Sequence, residues 1–265
     1  MEAPGIGNAS SDPPFAPCHE TLAIETLGPI SQTVFPARLN RSLWAQGIGR
    51  RRPANSAVAE SRLIYIMRNA SRNLTRERLI DATVELLRIK GPTAAGTNEI
   101  LARAAAPRGS FYFHFPDGKA QLLAEAVGRA AEATRQAVLA SASDGSVPLP
   151  ERVEEFFGAV SAELVACNYE LGCAVGATVL EASTTSPDLR AAGQAAFASW
   201  ASVWTEHLMA EGIGRECAEQ LADMIVAGVE GATMMAKANR DCKPLERVGA
   251  AVGAAVAAAL PSGAS

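Results

Sequence analysis

Three helix-forming stretches follow one another closely between residues 75 and 115, and this succession constrains the fold more than any other feature of the sequence. In residues 75–90, apolar side chains recur at helical spacing and fill one face, with charged side chains on the other. Two shorter stretches follow, residues 97–104 and 108–115, with a break at Ala105-Ala106-Pro107 between them. A long helix followed by two short helices and a tight turn is the arrangement of a helix-turn-helix unit.

The ends of these helices carry recognisable signals. Thr75 is the predicted N-cap of the long helix, and Lys90-Gly91-Pro92 is a typical C-terminal sequence. The hydroxyl of Thr97 is expected to cap the first short helix, and Pro107 suits the first turn of the second. Asp117 is the expected cap of a longer helix that follows.

The rest of the chain is also expected to be helical. Alanine is abundant, only 5% of the residues are aromatic, and Val, Ile and Thr seldom alternate with polar residues as a strand requires. With 48% apolar residues, the chain is able to bury a large core. We therefore predict an all-α fold, and leave open whether residues 172–184 form one helix or two. The further helices are expected near residues 119–140, 150–168, 172–184, 188–211, 215–238 and 244–260.

Residues 1–66 differ in composition from the rest of the chain. Seven prolines recur there and no helical period is sustained. The segment is therefore expected to be mostly disordered, or to precede a true translation start at Met67. Its basic triplet, Arg50-Arg51-Arg52, is either an accessory DNA arm or a solvated cluster. The predicted domains are then residues 67–120 and residues 121–261.

The charge of the chain is unevenly distributed. The overall net charge is −4, which is unlike proteins that coat nucleic acid without specificity. Residues 67–130 hold 10 Lys and Arg against 6 Asp and Glu, whereas residues 131–265 hold 8 against 17. The first of these segments is therefore the part suited to meet phosphate.

Neither a catalytic site nor a metal site can be assembled from the sequence. The three histidines, His19, His114 and His207, are far apart in the chain, and the five cysteines form no CxxC pair. We therefore expect no enzyme activity, no metal and no cofactor. Cys167 and Cys173 are interpreted as small core residues, with a thiol sensor as the alternative.

The chain is expected to be cytoplasmic. An odd number of cysteines fits a reducing compartment, and no apolar run reaches the length of a membrane span. The N-terminus also lacks the basic-then-apolar order of a signal peptide. We expect no membrane partner.

The second short helix carries the side chains that a DNA-reading helix needs. Phe111 and Phe115 are four residues apart, so they share a face that is expected to pack on the long helix and on Ile100. Arg108 is the best candidate for a direct base contact, because a guanidinium group pairs bidentately with guanine. Gly109 and Phe113 lie on the opposite face of this helix, and Tyr112 and His114 lie on its two flanks.

Three stretches agree in helix length, spacing and aromatic order with a known family: TRERLIDATVELLRIKG, TNEILARAA and PRGSFYFHFPDGKAQLL. They resemble the TetR family of bacterial transcriptional regulators. The form FPDGK at residues 115–119, together with LGCAVG at 171–176 and LEA at 180–182, is similar to the LmrA/YxaF-like branch of that family.

The resemblance implies a role for each matching position. Positions that approach bases in the family match Arg108 and Gly109, and positions that hold the DNA backbone match Thr97, Tyr112, His114 and Lys119. Lys119 is supported independently, because it stands in the first turn of a helix whose free amides also favour an anion. Ser110 and Phe113 complete the predicted set of DNA-binding residues.

Two positions depart from the family pattern. Ala105 stands where a turn glycine is usual, so the turn must either avoid positive φ or accept strain. Phe113 occupies a position that is frequently polar, and it is suited to touch a thymine methyl group instead. The second departure concerns the operator sequence rather than DNA binding itself.

The resemblance further implies that the C-terminal part dimerises and holds a small effector. One late helix combines small residues and methionines as at a helix-helix contact, although core packing explains them nearly as well. They are Met224, Val226, Gly228, Gly231, Met234 and Met235. The candidate pocket residues, which core packing also explains, are Phe156, Phe157, Val160, Leu164, Phe197, Trp200 and Trp204.

The expected fold is thus an N-terminal three-helix helix-turn-helix DNA-binding domain followed by a helical ligand-binding and dimerisation domain. The expected function is that of a homodimeric transcriptional regulator, most often a repressor, that releases double-stranded operator DNA when a small apolar effector binds. The alternative is a helical ligand-binding or enzymatic domain whose helix-turn-helix has lost its DNA role.

Overall fold

A computed structural model describes the backbone of residues 54–261 and the side chains of residues 73–261. Every regular element in this range is an α-helix, as the composition predicts. In chain order the helices are α1 (Ala54–Ala94), α2 (Thr97–Arg103), α3 (Ser110–His114), α4 (Lys119–Ala142), α5 (Leu149–Ala166), α6 (Ala174–Ala182), α7 (Pro187–Ala210), α8 (Arg215–Asn239) and α9 (Lys243–Ala259). Each predicted helix is present, and residues 172–184 contain a single helix.

Helix α1 is longer than the sequence pattern indicates. It begins at Ala54 rather than at Thr75, so the predicted N-cap at Thr75 is wrong. Residues 54–90 contain neither glycine nor proline, and nothing therefore stops the helix before Thr75. Of the segment 1–66 that was expected to be disordered, residues 54–66 are helical, whereas residues 1–53, with the triplet Arg50-Arg51-Arg52, lie outside the described residues.

The regular part of α1 ends where the sequence predicts. Gly91 has φ 73° and ψ 176°, which interrupts the helix directly after Lys90. A positive φ favours glycine because it has no Cβ, and Pro92 has no N–H to continue the helical hydrogen bonds. A Cβ at Gly91 would also overlap the carboxylate of Glu181 on α6. The break is thus specified both by backbone conformation and by a close contact.

The two short helices begin differently from the prediction. Helix α2 does start at Thr97, but its N-cap is Gly96 and no side chain caps it, so the predicted Thr97 cap is wrong. Helix α3 starts at Ser110 rather than at residue 108, because the amide and hydroxyl of Ser110 both donate to the carbonyl oxygen of Pro107, at 3.0 and 2.6 Å. Pro107 therefore lies in a turn before the helix and not in its first turn.

Helix α4 joins the short helices to the rest of the molecule. Its N-cap is Gly118, with φ 76°, and not Asp117 as predicted. Asp117 instead donates its amide to the side-chain oxygen of Gln121, 3.3 Å away. A helix of 24 residues is about 36 Å long. At its far end, the Arg152 guanidinium joins the last carbonyl of α4 to Glu211, which lies just before α8.

Two hydrophobic cores lie along α4. The first contains Phe111 and Phe115 together with Leu79, Leu86 and Ile100, as predicted, and it continues into α6 and α7. Burial of one phenylalanine side chain contributes about 1.5–3 kcal/mol, and these two rings are at most 2% exposed, so they hold the five-residue α3 in place. The second core packs α5, α8 and α9 against the C-terminal halves of α4 and α7.

The predicted boundary at residue 120 does not separate two cores. The first core combines residues on both sides of that position, and the described residues from Ala57 onward fall in one compact unit. No helix between residues 54 and 261 is both long and apolar enough to cross a bilayer. Among the described side chains, residues 73–261, no group of His, Cys, Asp and Glu is arranged to hold a metal ion.

Candidate nucleic-acid interface and internal cavity

One side of α3 is buried, and the other side faces solvent. The rings of Phe111 and Phe115 lie in the first core, with centroids 6.0 Å apart. On the outward side, Tyr112 is 71% exposed and Phe113 is 60% exposed. Both outward rings are braced edge-on, Tyr112 against Phe111 at 5.1 Å and Phe113 against His114 at 5.0 Å. Two adjacent exposed aromatic rings in fixed positions form a surface suited to a partner rather than to water.

The segment before α3 is open to solvent. Arg108 and Gly109 are exposed, and a Cβ at Gly109 would meet nothing within 4 Å. Ser110 uses its hydroxyl hydrogen on the carbonyl oxygen of Pro107, which leaves the hydroxyl oxygen as an acceptor. The three predicted DNA-binding residues of this segment thus offer a cation, an open backbone and an acceptor.

Thr97 and Lys119 stand at helix N-termini on either side of α3 in the sequence. Thr97 is the first residue of α2, and Lys119 is the first residue of α4; both are half-buried. The ammonium group of Lys119 donates to the carbonyl oxygen of Pro92 at 2.9 Å, and its other two N–H groups have no partner among the side chains and backbone that the structure describes. The unpaired amides of the first turn of α4 add positive potential at the same point.

The other basic side chains near α3 are engaged with carboxylates. The ion pairs are Arg76 with Glu125, Arg88 with Glu163, Lys90 with Glu99, Arg103 with Glu85, and Arg129 with Glu77 and Asp81. Within residues 73–130, the basic side chains in no ion pair are Arg78, whose guanidinium donates to the Thr75 hydroxyl at 3.3 Å, Arg108 and Lys119. Two of these three cations, Arg108 and Lys119, lie directly before and after α3 in the sequence.

The turn between α2 and α3 is strained at one residue. Ala105 has φ 46°, in the left-handed region. Of the two outcomes expected for this turn, it therefore accepts strain and does not avoid a positive φ. The Ala105 amide donates to Ala102 at 3.1 Å, and the Ala106 amide donates to Leu101 at 3.0 Å. These two bonds form a Schellman motif, in which glycine is usual at the position of Ala105. The left-handed conformation costs an alanine about 1–2 kcal/mol.

A cavity of about 340 Å³ lies between α1, α4, α5, α6 and α8. Three of the predicted pocket residues, Phe156, Val160 and Leu164, line it. The other four are packed with the two cores and do not belong to its wall; they are Phe157, Phe197, Trp200 and Trp204. Trp200, for example, is buried with its indole N–H donating to a carbonyl oxygen of α4 at 2.9 Å. The wall is instead built largely of small side chains.

The wall of the cavity is tied to the C-terminal end of α1. The Gly172 amide donates to the Arg88 carbonyl oxygen at 2.9 Å, and the Arg88 Nε donates to the Gly172 carbonyl oxygen at 3.0 Å. Arg88 also pairs with Glu163 at 2.6 Å. On α6, the Glu181 carboxylate accepts from the Thr93 amide at 3.1 Å. The helix that supports α2 and α3 is thus joined to the wall at Gly172 and Glu163, and to the neighbouring part of α6 at Glu181.

Both parts of this geometry have counterparts in known proteins. Residues 79–126 match the family model described as bacterial regulatory proteins, tetR family, and residues 150–251 match the model for the C-terminal domain of LmrA/YxaF-like transcriptional regulators. The chain is 30% identical to the HTH-type transcriptional regulator LmrA of Bacillus subtilis (strain 168) over 179 residues, which are 67% of this chain and 94% of LmrA. The chain belongs to the TetR family.

Further similarities agree with this assignment. The chain is 31% identical to the HTH-type transcriptional regulator YxaF of the same organism, over 66% of this chain and 91% of YxaF. The crystal structure of the regulatory protein TetR from Rhodobacter sphaeroides superimposes with a TM-score of 0.62 at 26% identity, over 69% of this chain and 98% of that one. As a TetR-family member, the protein is a DNA-binding transcriptional regulator rather than an enzyme. The predicted LmrA/YxaF-like branch is confirmed.

In this TetR-family protein, the polar groups of the cavity are not among the residues predicted from the sequence. Glu230 and Cys173 both line it. A signal was present, because Glu230 is the one charged residue between Asp223 and Lys237 on α8. Burial raises the pKa of the Cys173 thiol to about 12, with the nearby Glu230 adding to the effect. A thiol with this pKa is uncharged at neutral pH, which disfavours Cys173 as a reactive sensor.

Proposed function

We propose that this TetR-family regulator is a homodimeric repressor that leaves its operator when a small apolar molecule binds among the C-terminal helices. The observation that carries the proposal is the outward surface of α3, where two exposed aromatic rings stand between two cations that are in no ion pair. In this arrangement phosphate contacts fix the position of α3 in the major groove, and base contacts select the sequence.

The predicted residues take distinct roles on the DNA. Arg108 pairs with a guanine, which contributes about 1–3 kcal/mol of discrimination, and Phe113 meets a thymine methyl group. Gly109 allows the backbone to come close to the bases, and Ser110 accepts a hydrogen bond. The residues that hold phosphates are Thr97, Tyr112, His114 and Lys119.

A second copy of the chain is proposed to dock on α8 and α9. Met224, Gly231 and Met235 lie at helical spacing on the exposed side of α8, and Met234 is also exposed. The exposed side of α9 is rich in alanine, at Ala250, Ala254, Ala257 and Ala258. Small side chains and methionines suit close packing between helices of two copies. A two-fold dimer built in this way presents its two α3 helices about 34 Å apart, one turn of DNA.

Two other residues expected at this contact have a different position. A Cβ at Gly228 would lie 3.1 Å from Val248, and Val226 packs with the cores of its own chain. Both therefore face the inside of the protomer. The proposed contact between copies is accordingly narrower than the sequence pattern indicates.

The effector is proposed to bind in the cavity of about 340 Å³. Because Val84 and Arg88 of α1 belong to the wall, a ligand that displaces the wall also displaces the helix that supports α2 and α3. Release follows only if the ligand binds the conformer with the wrong half-site separation better than the DNA-binding conformer. Coupling of this kind is typically about 1–3 kcal/mol.

The DNA-binding role is tested by fluorescence anisotropy with the upstream region of the protein's own gene at fixed salt. The double variant Tyr112→Ala, Lys119→Ala removes one neutral and one charged hydrogen bond, and we expect it to lose about 2–4 kcal/mol of binding free energy. Loss of the lysine should also reduce the slope of log K against log salt by about 1. Equal, weak binding by wild type and double variant would instead support the alternative, a helix-turn-helix without a DNA role.

The matched control is Arg215→Ala. Arg215 is exposed at the start of α8, four residues after Glu211, which Arg152 joins to the end of α4 that is remote from α3. The substitution removes the same charge as Lys119→Ala, so it corrects for the change in net charge. We expect the control to bind the operator as wild type does.

A further inference from the structure

One carboxyl group in the cavity wall has no counter-cation. Glu230 lines the cavity from α8, and no ion pair to it occurs among the side chains described, residues 73–261. The other charged side chains of the wall, Arg88 and Glu163, pair with each other at 2.6 Å. The charged side chains of the wall therefore leave one negative charge uncompensated.

This carboxyl group lies against α6. A Cβ at Gly176 would lie 2.6 Å from Oε2 of Glu230, so the carboxyl group packs directly on the glycine backbone. Its hydrogen-bond partner is the thiol of Cys173, which is a weak donor. Burial raises the pKa of Glu230, as expected when the charged form is only partly compensated. The carboxylate thus gains from any further cationic partner.

The remainder of the wall suits an apolar body. Its apolar lining includes alanines of α4, Val84 of α1 and the ring of Phe156. A volume of about 340 Å³ is at the small end of ligand cavities. It is suited to a molecule with one or two fused aromatic rings.

Resting on the proposed effector function, we propose that the effector is a small apolar molecule with one protonated amine, whose ammonium group binds the Glu230 carboxylate in this cavity. The ammonium group supplies the missing counter-charge, and the apolar body fills the space between the alanines. This makes Glu230 the residue that determines the class of ligand.

A neighbouring cavity is less suited to the amine. Its volume is about 320 Å³, and it shares Glu230, Arg88 and Cys173 with the first cavity. Its wall also includes Lys90, Lys237 and Glu181, so cationic side chains outnumber carboxylates there. A positive ligand is therefore directed to the first cavity.

The proposal is tested by isothermal titration calorimetry on the full-length protein with matched pairs of probes. Phenylethylamine and 2-(1-naphthyl)ethylamine are each compared with the alcohol of the same skeleton. Because a desolvated charge pair is formed only with the amine, we expect wild type to bind the better-fitting amine about tenfold more tightly than its alcohol, or more. Glu230→Gln keeps the shape of the side chain and should abolish this preference while it leaves the affinity for the alcohol unchanged.

Glu219→Gln is the matched control. Glu219 is on the same helix, but it is exposed and pairs with Arg215 at the surface. This variant changes the net charge equally and should keep the preference for the amine. The wild-type comparison requires no variant, so equal binding of amine and alcohol refutes the proposal even if Glu230→Gln is unstable.

Three outcomes would overturn the proposal: equal binding of amine and alcohol by wild type, an amine preference that persists in Glu230→Gln, or no amine binding up to its solubility limit. None of these outcomes changes the result expected from the operator-binding assay with the Tyr112→Ala, Lys119→Ala variant. A protein that binds its operator but does not prefer amines refutes the ligand class alone.

Discussion

Replacement of Ala105 by glycine is expected to stabilise the protein, although glycine usually has the opposite effect. Ala105 has φ 46°, where an alanine is less stable than a glycine by about 1–2 kcal/mol. Against this, glycine loses about 0.5–1 kcal/mol more conformational entropy on folding. The Ala105 side chain is exposed, so its removal opens no cavity. The difference is a net stabilisation of about 0.5–1 kcal/mol.

The measurement is the midpoint of thermal and urea unfolding. For a chain of this size the melting temperature shifts by about 2–4 °C per kcal/mol, so an increase of about 1–4 °C is expected. The control is Ala102→Gly, an exposed position inside α2, which should destabilise by about 0.5–1 kcal/mol. The two substitutions are chemically identical and three residues apart, so they should have opposite signs. Destabilisation by both would refute the assignment of strain to Ala105.

Two further predictions concern the C-terminal helices. Gly231→Arg places a charge in the proposed contact between copies and should convert dimer to monomer in sedimentation velocity. The control Gly128→Arg, at an exposed glycine of α4, should leave the dimer intact. A dimer that persists in Gly231→Arg contradicts the proposed contact. Iodoacetamide at mildly alkaline pH should label the exposed Cys217 well before Cys173, because the pKa of the Cys173 thiol is raised to about 12. Peptide mass spectrometry measures the two labelling rates, and equal rates would contradict the burial of Cys173.

The bodies of the helices could be predicted from the sequence, but their ends could not. Helical periodicity is repeated over many residues, whereas a cap is one local choice among several. Thr75 has the chemistry of an N-cap, yet no break precedes it and the helix passes through it. At α2 the cap is Gly96, one position before the expected Thr97. At α4 the cap is Gly118, one position after the expected Asp117. Gly91 was a reliable signal for the end of the regular part of α1, because the positive φ at this position favours glycine.

The buried and exposed faces of α3 were also more predictable than the cavity. Phe111 and Phe115 are buried, whereas Tyr112 and Phe113 between them are exposed. This pattern can be read from the sequence of two helical turns. The predicted pocket residues, by contrast, were mostly large aromatic residues, and one of them, Trp204, is fully buried in a core. A cavity remains where side chains are too short to fill the space between helices. The relevant signal was the stripe of small residues on α4 that includes Ala133 and Ala137.

Val84 and Arg88 belong to two parts of the molecule at once, because they lie on the helix that supports the DNA-reading unit and also line the cavity. A chimera that joins these C-terminal helices to the whole N-terminal unit of another regulator would import foreign residues at both positions. The wall of its cavity would then change together with its operator. Exchange of residues 97–115 alone leaves α1 and the wall intact. That segment is therefore the unit to transplant when only the operator is to be changed.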